Sequence, residues 1–462
     1  MRRLEELFRR AETACVLWIA VCFSLTSAAY LSWTYHLMEF TAPDRVDVYC
    51  LVLGYLFQGA GAALFLALTR TLPAAVDGRS FCVCALIYCV FSLPALMGNT
   101  LAGALIFGFL MNGMSGVIAG YYLLAAAKLE IARRGAAFGC GYGLSTIFVF
   151  LLSLIGEGGF LRTQGVFMVY LLLAAAAAWM AFPLLGRAQT LAPVGAPAAF
   201  RPVPASTLPL AGAAVFLISL VKNLGFTFAS SDILAGTNLE LSRLFYAVGL
   251  LAAGVICDRQ RKYGAFCAIA ALVLPFVMLA LSRDSLPAAI CWGLDYLFYG
   301  FFSVYRIVLF LDLAAQSGKW HLAALGLLMG RAGDAAGTAL CLWLSSSHVL
   351  LIGVTLALFF LTLFLFLRLC QMLYLPAAGR EKSEREVFES FAIQHDLSAR
   401  EKEVLRLVLA EQSVPQIAEA LFVSESTVRY HIHNLLQKSG AKSRHELVKN
   451  YHLILYPNML EK

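Results

Sequence analysis

The chain has 462 residues, 60% of them hydrophobic and only 14% charged, against about 45–50% apolar and about 25% charged in an average soluble domain. That composition excludes an ordinary soluble globular protein and assigns most of the chain to lipid. The formal net charge of +7 does not by itself indicate a nucleic-acid ligand, because Arg and Lys gather in the cytoplasmic loops of membrane proteins of every function.

Taken in chain order, apolar runs nearly free of charge and long enough to cross a bilayer predict about twelve spans. The first six cover approximately Ala14–Tyr35, Val48–Leu68, Phe81–Met97, Leu101–Ala127, Ala136–Ile155 and Gly165–Leu185. Arg187 to Ser206 then carries Pro193, Pro197, Pro202 and Pro204 and cannot hold a regular helix. The second six cover approximately Leu208–Phe226, Leu241–Cys257, Ala265–Leu281, Leu286–Leu311, Leu322–Leu344 and Val349–Leu373. A first run followed by so many others is not a cleaved secretory signal. An inside N-terminus places Arg2, Arg3, Arg9, Arg10, Arg133, Arg134, Arg259, Arg261 and Lys262, among others, in cytoplasmic segments. It leaves only Arg45, Arg162, Arg243 and Arg283 on the opposite side. An even number of spans then returns the C-terminus to the cytoplasm. The 12 cysteines lie in or beside the apolar runs, with none after Cys370 and no Cys-x-x-Cys pair or zinc-ligand spacing, so they read as packing residues.

Two groups of six spans about a central linker resemble the major facilitator superfamily. The most specific local match is the loop after the eighth span, Gly254-Val255-Ile256-Cys257-Asp258-Arg259-Gln260-Arg261-Lys262, similar to that superfamily's short acidic-and-basic cytoplasmic loop. The corresponding stretch of the first half, Leu68-Thr69-Arg70-Thr71-Leu72-Pro73, departs from it. Ionisable residues inside spans cost about 2.5–3.5 kcal/mol near the bilayer centre on insertion scales and need a reason to be there. Asp295, Arg306, Arg331 and Asp334 are the candidates, with Arg331 and Asp334 at i, i+3 on one helical face among the small residues of Gly330–Gly337. Two readings stand level: a polar pocket between the halves that binds a small solute, and an internal ion-pair network that fixes packing. Lys222, and Asp312 at a span end, are expected instead to reach toward an interface.

From Gly379 the chain turns charged, beginning Arg380-Glu381-Lys382-Ser383-Glu384-Arg385-Glu386, which reads as a partly helical tether. Beyond it, Ser398 with Glu401, Ser413 with Gln416, and Ser443 with Glu446 fit the Ser-x-x-Glu/Gln capping box, and Ser424 supplies a fourth N-cap. Four helices are therefore predicted to start near residues 399, 414, 425 and 444. In the third, Val428, Ile432, Leu435 and Leu436 form an apolar stripe facing Val404, Leu405, Val408, Ile417 and Leu421. Ser426, Arg429, Tyr430, His433 and Gln437 form a second stripe turned away from the first, extended by the basic Lys438 and Lys442. One buried face and one hydrogen-bonding, basic face is what docking in a DNA major groove requires.

The run Leu397-Ser398-Ala399-Arg400-Glu401-Lys402-Glu403-Val404-Leu405, then Ile417 through Ile432, then Lys438 and Ser443-Arg444-His445-Glu446-Leu447, resembles the LuxR-type helix-turn-helix of bacterial regulators. The resemblance implies base-reading positions at Arg429, Tyr430 and His433, backbone contacts at Thr427 and Lys438, and a dimer contact in the last helix, about Arg444 to Asn450. Before the second helix, Glu411, Val414 and Pro415 replace the family's usual Gly, Asn and Lys.

The expected fold is all-α: a polytopic membrane helix bundle of about twelve spans in a 6+6 arrangement, followed by a small four-helix helix-turn-helix domain. The expected divisions are 1–186 for the first membrane half, 187–206 for a central cytoplasmic linker, 207–374 for the second half, 375–396 for a charged tether and 397–462 for the DNA-binding domain. No phosphate-cradling Gly-x-x-x-x-Gly-Lys-Ser/Thr loop, His-Glu-x-x-His pair or Gly-x-Ser-x-Gly turn occurs, so no catalytic residue, cofactor or metal is expected. The expected function is a membrane-tethered transcriptional regulator whose bundle detects a small-molecule ligand; the alternative is a secondary transporter with a fused regulatory domain. Its partners would be double-stranded DNA, the lipid bilayer and a second copy of the chain on DNA. Its place would be the bacterial inner membrane, with both termini cytoplasmic.

Overall fold

The computed structural model describes residues 11–73, 76–155, 165–190, 206–230, 239–273, 285–374, 384–410 and 412–455. Residues 191–205 of the expected linker, 274–281 of the ninth predicted span, 375–383 of the expected tether, Glu411, and the basic residues Arg2, Arg3, Arg9, Arg10, Arg162 and Arg283 lie outside the described residues. Every regular element among the described residues is helical. The chain divides into two compact units, Met1–Tyr374 and Leu375–Lys462.

The first unit holds α1 (Ala11–Leu37), α2 (Tyr55–Thr71), α3 (Gly78–Met97), α4 (Leu101–Ala127), α5 (Ile131–Ser153) and α6 (Val166–Thr190), then α7 (Thr207–Ser230), α8 (Leu239–Arg259), α9 (Arg261–Ala270), α10 (Ser285–Ser317), α11 (Leu325–Leu344) and α12 (His348–Leu373). Among the described residues, nine helices are long and apolar enough to cross a membrane. Helices α8, α9 and α11 fall outside that set: the described part of α9 has 10 residues, and Arg331 and Asp334 lower the hydropathy of α11. The second predicted span is not uniform: a turn at Pro43–Asp47 leads into a π-helical stretch, Val48–Gly54, before α2.

Polar side chains mark several helix starts. Asp77 Oδ1 accepts from the Ser80 N–H at 2.8 Å while Ser80 Oγ accepts from the Asp77 N–H at 2.9 Å, a reciprocal cap for α3. Thr100 and Ser347 cap α4 and α12. The outward faces are apolar, with Trp179, Trp343 and Phe360 largely exposed, as a surface solvated by lipid rather than water requires.

The two halves meet where α5 packs on α8 and α2 on α11. At the first crossing a Cβ on Gly139 would stand 2.4 Å from the Leu250 carbonyl oxygen, and one on Gly254 would stand 2.6 Å from that of Gly135. The helices approach this closely only because neither position bears a side chain. Asp258, from the loop signature, reaches the second turn of α5: its carboxylate accepts from the Gly135 and Ala136 N–H groups at 2.8 and 2.6 Å. Arg261 donates to Asp258 at 2.9 Å, to Asp312 at 2.6 Å and to the Ile131 carbonyl at 2.5 Å, and Arg134 donates to Asp312 at 2.9 Å. Asp312 is thus drawn inward by two guanidinium groups, not outward to an interface.

In the second unit α14 (Ala399–Leu409), α15 (Val414–Leu421), α16 (Glu425–Ser439) and α17 (Arg444–Leu455) are the four expected helices, and α13 (Glu384–Gln394) precedes them. Val404, Leu405, Val408, Ile417, Val428, Leu435 and Leu447 are fully buried together, while Leu421, Ile432 and Leu436 are partly buried against them. Helix α13 lies in the segment expected as a tether. Its Val387, Phe388, Phe391 and Ala392 are buried in the same core, with Phe388 and Phe391 against the Tyr451 ring of α17. Apolar positions spaced i, i+1, i+4, i+5 give a charged-looking sequence one buried face.

The caps follow the sequence with one variation. Ser398 and Glu401 form the full reciprocal box, and Gln416 Oε1 accepts from the Ser413 N–H at 2.8 Å. Ser443 Oγ accepts from the Glu446 N–H at 3.1 Å, but the Glu446 carboxylate accepts from the Lys442 N–H, at 2.7 Å, one residue earlier than the box predicts.

Candidate nucleic-acid interface and membrane cavity

Helix α16 begins from a tight turn. Phe422 ends α15 in the left-handed conformation (φ 52°), Ser424 caps α16 by accepting from the Thr427 N–H at 3.3 Å, and Gly440 (φ 70°) ends the helix. Burial of Val428 and Leu435 fixes its rotation. Ser426, Arg429, Tyr430, His433, Gln437, Lys438 and Lys442 are then all exposed, and Thr427 is half-buried.

The exposed groups do not have equal freedom. Arg429, 71% exposed, pairs with Glu425 one turn back at 3.0 Å, its one ion pair among the described residues, and Tyr430 stands out at 62% exposure. The Ser426 and Thr427 hydroxyls lie 2.7 and 2.8 Å from Ser424 Oγ, tied into the cap. Lys438 departs furthest from the expectation of a simple backbone contact: its Nζ donates to Glu401 at 2.8 Å and to the Asp396 carbonyl at 2.8 Å, fastening the end of α16 to the start of α14. Burial by itself would raise the Glu401 pKa, but the Lys438 ammonium and the Ser398 N–H outweigh it and hold the carboxyl below the usual range. The sequence signal for this link was the capping box itself, whose carboxylate has a second oxygen lone pair to offer.

The first unit contains a partly open cavity of about 320 Å³ lined from both halves. Its walls are aromatic: Phe23 stacks on Tyr142 with ring centroids 3.9 Å apart, Tyr142 meets Tyr246 edge-on at 5.4 Å, and Tyr246 stacks on Tyr299 at 5.0 Å. Tyr30 and Tyr55 stack at 6.1 Å on another side, and the Arg331 guanidinium lies 4.4 Å from the Tyr55 ring centre.

Below these rings Asp334, with no exposure, receives three cations: Lys222 at 3.2 Å, Arg306 at 3.4 Å and Arg331 at 3.4 Å. Lys222, expected to reach for an interface, is buried and turned inward, with Nζ 3.8 Å over the Tyr299 ring. A buried carboxylate and a π face both draw the ammonium more strongly than a remote headgroup layer. Three of the four candidates, Arg306, Arg331 and Asp334, therefore meet at one point. Asp295, on α10, is buried outside that set of ion pairs, and its Oδ1 has no partner among the described residues. Asn223 donates to the Asp334 carbonyl at 2.8 Å and to Thr338 Oγ1 at 2.7 Å, pinning α7 against α11 beside the cluster.

Comparison with known proteins assigns the two units separately. Residues 395–450 match the model for bacterial regulatory proteins of the luxR family. Over 52 residues the chain is 46% identical to the spore germination protein GerE of Bacillus subtilis, covering 11% of this chain and 70% of GerE. It is 48% identical over 48 residues to the probable transcriptional regulatory protein NarL of Mycobacterium tuberculosis, covering 10% of this chain and 22% of that protein. It is 44% identical over 54 residues to the transcriptional regulatory protein DegU of Brevibacillus brevis, covering 12% of this chain and 23% of DegU. The chain thus spans less than a quarter of the two longer relatives. The crystal structure of the human organic anion transporter MFSD10 (TETRAN) superposes with a TM-score of 0.54 over 78% of this chain and 99% of that one. At 17% identity this likeness conveys the fold and nothing about the ligand. With a major-facilitator-like helix bundle ahead of it, the C-terminal domain places this chain in the luxR family of bacterial regulatory proteins.

Proposed function

We propose that the chain is a one-component regulator anchored in the bacterial inner membrane, in which the bundle detects a small solute and the luxR-type domain acts on promoter DNA. The observation that carries this reading is the exposed polar face of α16, on which Arg429 pairs with Glu425 of its own helix and Tyr430 stands 62% exposed. Arg429, Tyr430 and His433 read base edges; Thr427 and Lys442 meet the phosphates. Lys438 serves the backbone contact through its position at the end of α16 while its ammonium also holds Glu401. The last helix, about Arg444 to Asn450, joins two copies on DNA. The excess of Arg and Lys in loops on one side puts both termini in the cytoplasm, where that DNA is.

Sensing requires that the solute bind two states of the bundle with different affinity. The aromatic cavity at the junction of the halves supports such a site, since a shift of one half against the other changes its walls. The test is a transcript profile of cells carrying the full-length protein, with and without Arg429→Ala, across a panel of added solutes. A set of promoters that depends on Arg429 and responds to one compound supports the reading. Arg429-dependent promoters indifferent to every compound leave a regulator but remove the sensor.

One observation favours transport as a second reading: in the loop that resembles the superfamily's, Arg261 pairs with both Asp258 and Asp312, at 2.9 and 2.6 Å. Solute flux into proteoliposomes bearing the full chain decides between binding and transport.

A further inference from the structure

We infer that the cavity takes an aromatic carboxylate, its ring against the tyrosine wall and its carboxylate on Arg331. This rests on the reading of the cavity as a solute site and adds the class of solute. Lys222, Arg306 and Arg331 converge on the single carboxylate of Asp334, so the cluster carries a cation excess even with Asp295 counted as ionised. Excess positive charge buried in low dielectric favours an incoming anion and repels a cation.

Two donors at the cavity wall also have unmet capacity. Arg331 Nε is buried with no hydrogen-bond partner among the described residues, Tyr30 Oη is buried with none of good geometry beside the neighbouring Tyr55, and both residues line the cavity. A planar guanidinium with an unused edge matches a carboxylate in two-point geometry. The cavity of about 320 Å³ exceeds what an inorganic anion fills. Its remaining surface is the band Phe23–Tyr142–Tyr246–Tyr299, whose rings are fixed against one another and present a rigid aromatic wall for a flat ring to pack on, edge-on or offset, at low entropic cost. An aliphatic acid would satisfy the charge and leave that wall unused; an aromatic amine would satisfy the wall and meet like charge.

The experiment uses the full-length protein in lipid nanodiscs and follows its thermal unfolding by intrinsic fluorescence. The probes are benzoate, cinnamate and 4-hydroxyphenylacetate, set against 4-hydroxyphenylacetamide and tyramine, which keep the ring and change the charge. A ligand that binds only the folded state raises Tm with concentration. The expected result is a dose-dependent rise with at least one carboxylate by about 5 mM and none with the amide or the amine. Arg331→Gln, which leaves Lys222 and Arg306 on Asp334, should weaken carboxylate binding at least about tenfold. Tyr30→Phe, which alters one hydroxyl and no charge, should weaken it several-fold and serves if Arg331→Gln fails to fold. Equal stabilisation by tyramine, no stabilisation by any of the three carboxylates, or binding unchanged in both variants overturns the proposal. Because binding is read in the purified protein, its failure is distinct from a failure of gene regulation: a bundle that prefers tyramine would still be a sensor, of a different solute.

Discussion

Replacing Glu401 tests how the recognition helix is held, because this one carboxylate both completes the cap of α14 and ties it to α16. It is 4% exposed, accepts from the Ser398 N–H at 2.8 Å and receives Lys438 Nζ at 2.8 Å. Glu401→Gln keeps an oxygen for the Ser398 N–H and loses the charge facing Lys438. Since the Lys438 side chain is 37% exposed, solvent screens the pair and the cost is about 1 kcal/mol. Glu401→Ala removes the cap as well and costs about 2 kcal/mol. Hydrogen exchange on the full-length protein, read on peptides from α14 and α16, should quicken about fivefold for Gln and about thirtyfold for Ala. The pH dependence has a definite sign. A carboxyl whose folded pKa is depressed contributes its full stability above its ordinary range and loses it as pH falls through the lowered value. Once intrinsic exchange rates are divided out, wild type should therefore lose protection on acidification more steeply than Glu401→Gln. Exchange in Glu401→Ala no faster than in wild type would refute the argument that this carboxylate fastens α16.

In the bundle, Asp334→Asn leaves Lys222, Arg306 and Arg331 buried around a neutral amide, which should cost about 3–5 kcal/mol and appear as a lowered Tm and poor membrane yield. Adding Lys222→Met to Asp334→Asn should recover part of that loss, and a double variant less stable than the single one would count against mutual repulsion as the cause. Gly139→Leu places a side chain where a Cβ already meets the Leu250 carbonyl at 2.4 Å. It should force α5 and α8 apart, making Cys257, at present buried, newly reactive to a membrane-permeant thiol reagent. Arg429→Ala, on an exposed helix face, should change folding stability by no more than about 0.5 kcal/mol while weakening promoter binding by about 1–3 kcal/mol, measured by thermal unfolding and by DNA titration of the full chain.

Periodicity and capping chemistry made the helix-turn-helix legible from sequence. Val428 and Leu435 could only face the core, which turned Arg429, Tyr430 and His433 outward, and the Ser-x-x-Glu pattern at Ser398 located the start of α14. A partly helical tether was expected, but the packing of α13 into the core was hidden because its apolar residues, Val387, Phe388, Phe391 and Ala392, are diluted by Glu and Arg, and composition reports average polarity, not the face on which it falls. The Pro/Ala-rich stretch and the spacing of apolar runs gave the two membrane halves, since lipid admits few alternatives to helices.

The charged residues within spans were recognised one by one, but not how they assemble. Arg331 and Asp334 share a helix face and were paired on that ground. Lys222 and Arg306 reach Asp334 from α7 and α10, more than 100 and 28 residues away respectively, which no local pattern announces. Asp312 misled for the same reason: its position at a span end suggested an interface, while Arg134 and Arg261 arrive from other helices to claim it.

The central claim, that a chain embedded in the membrane acts on DNA through α16, is tested most directly by crosslinking cells, isolating the protein with its bound chromatin and sequencing that DNA, for wild type and for Arg429→Ala at equal abundance in the membrane fraction. The account predicts a small set of enriched promoter sites for the wild-type protein and their loss with Arg429→Ala. Enrichment at no site under any growth condition, or sites retained unchanged in Arg429→Ala, would contradict it.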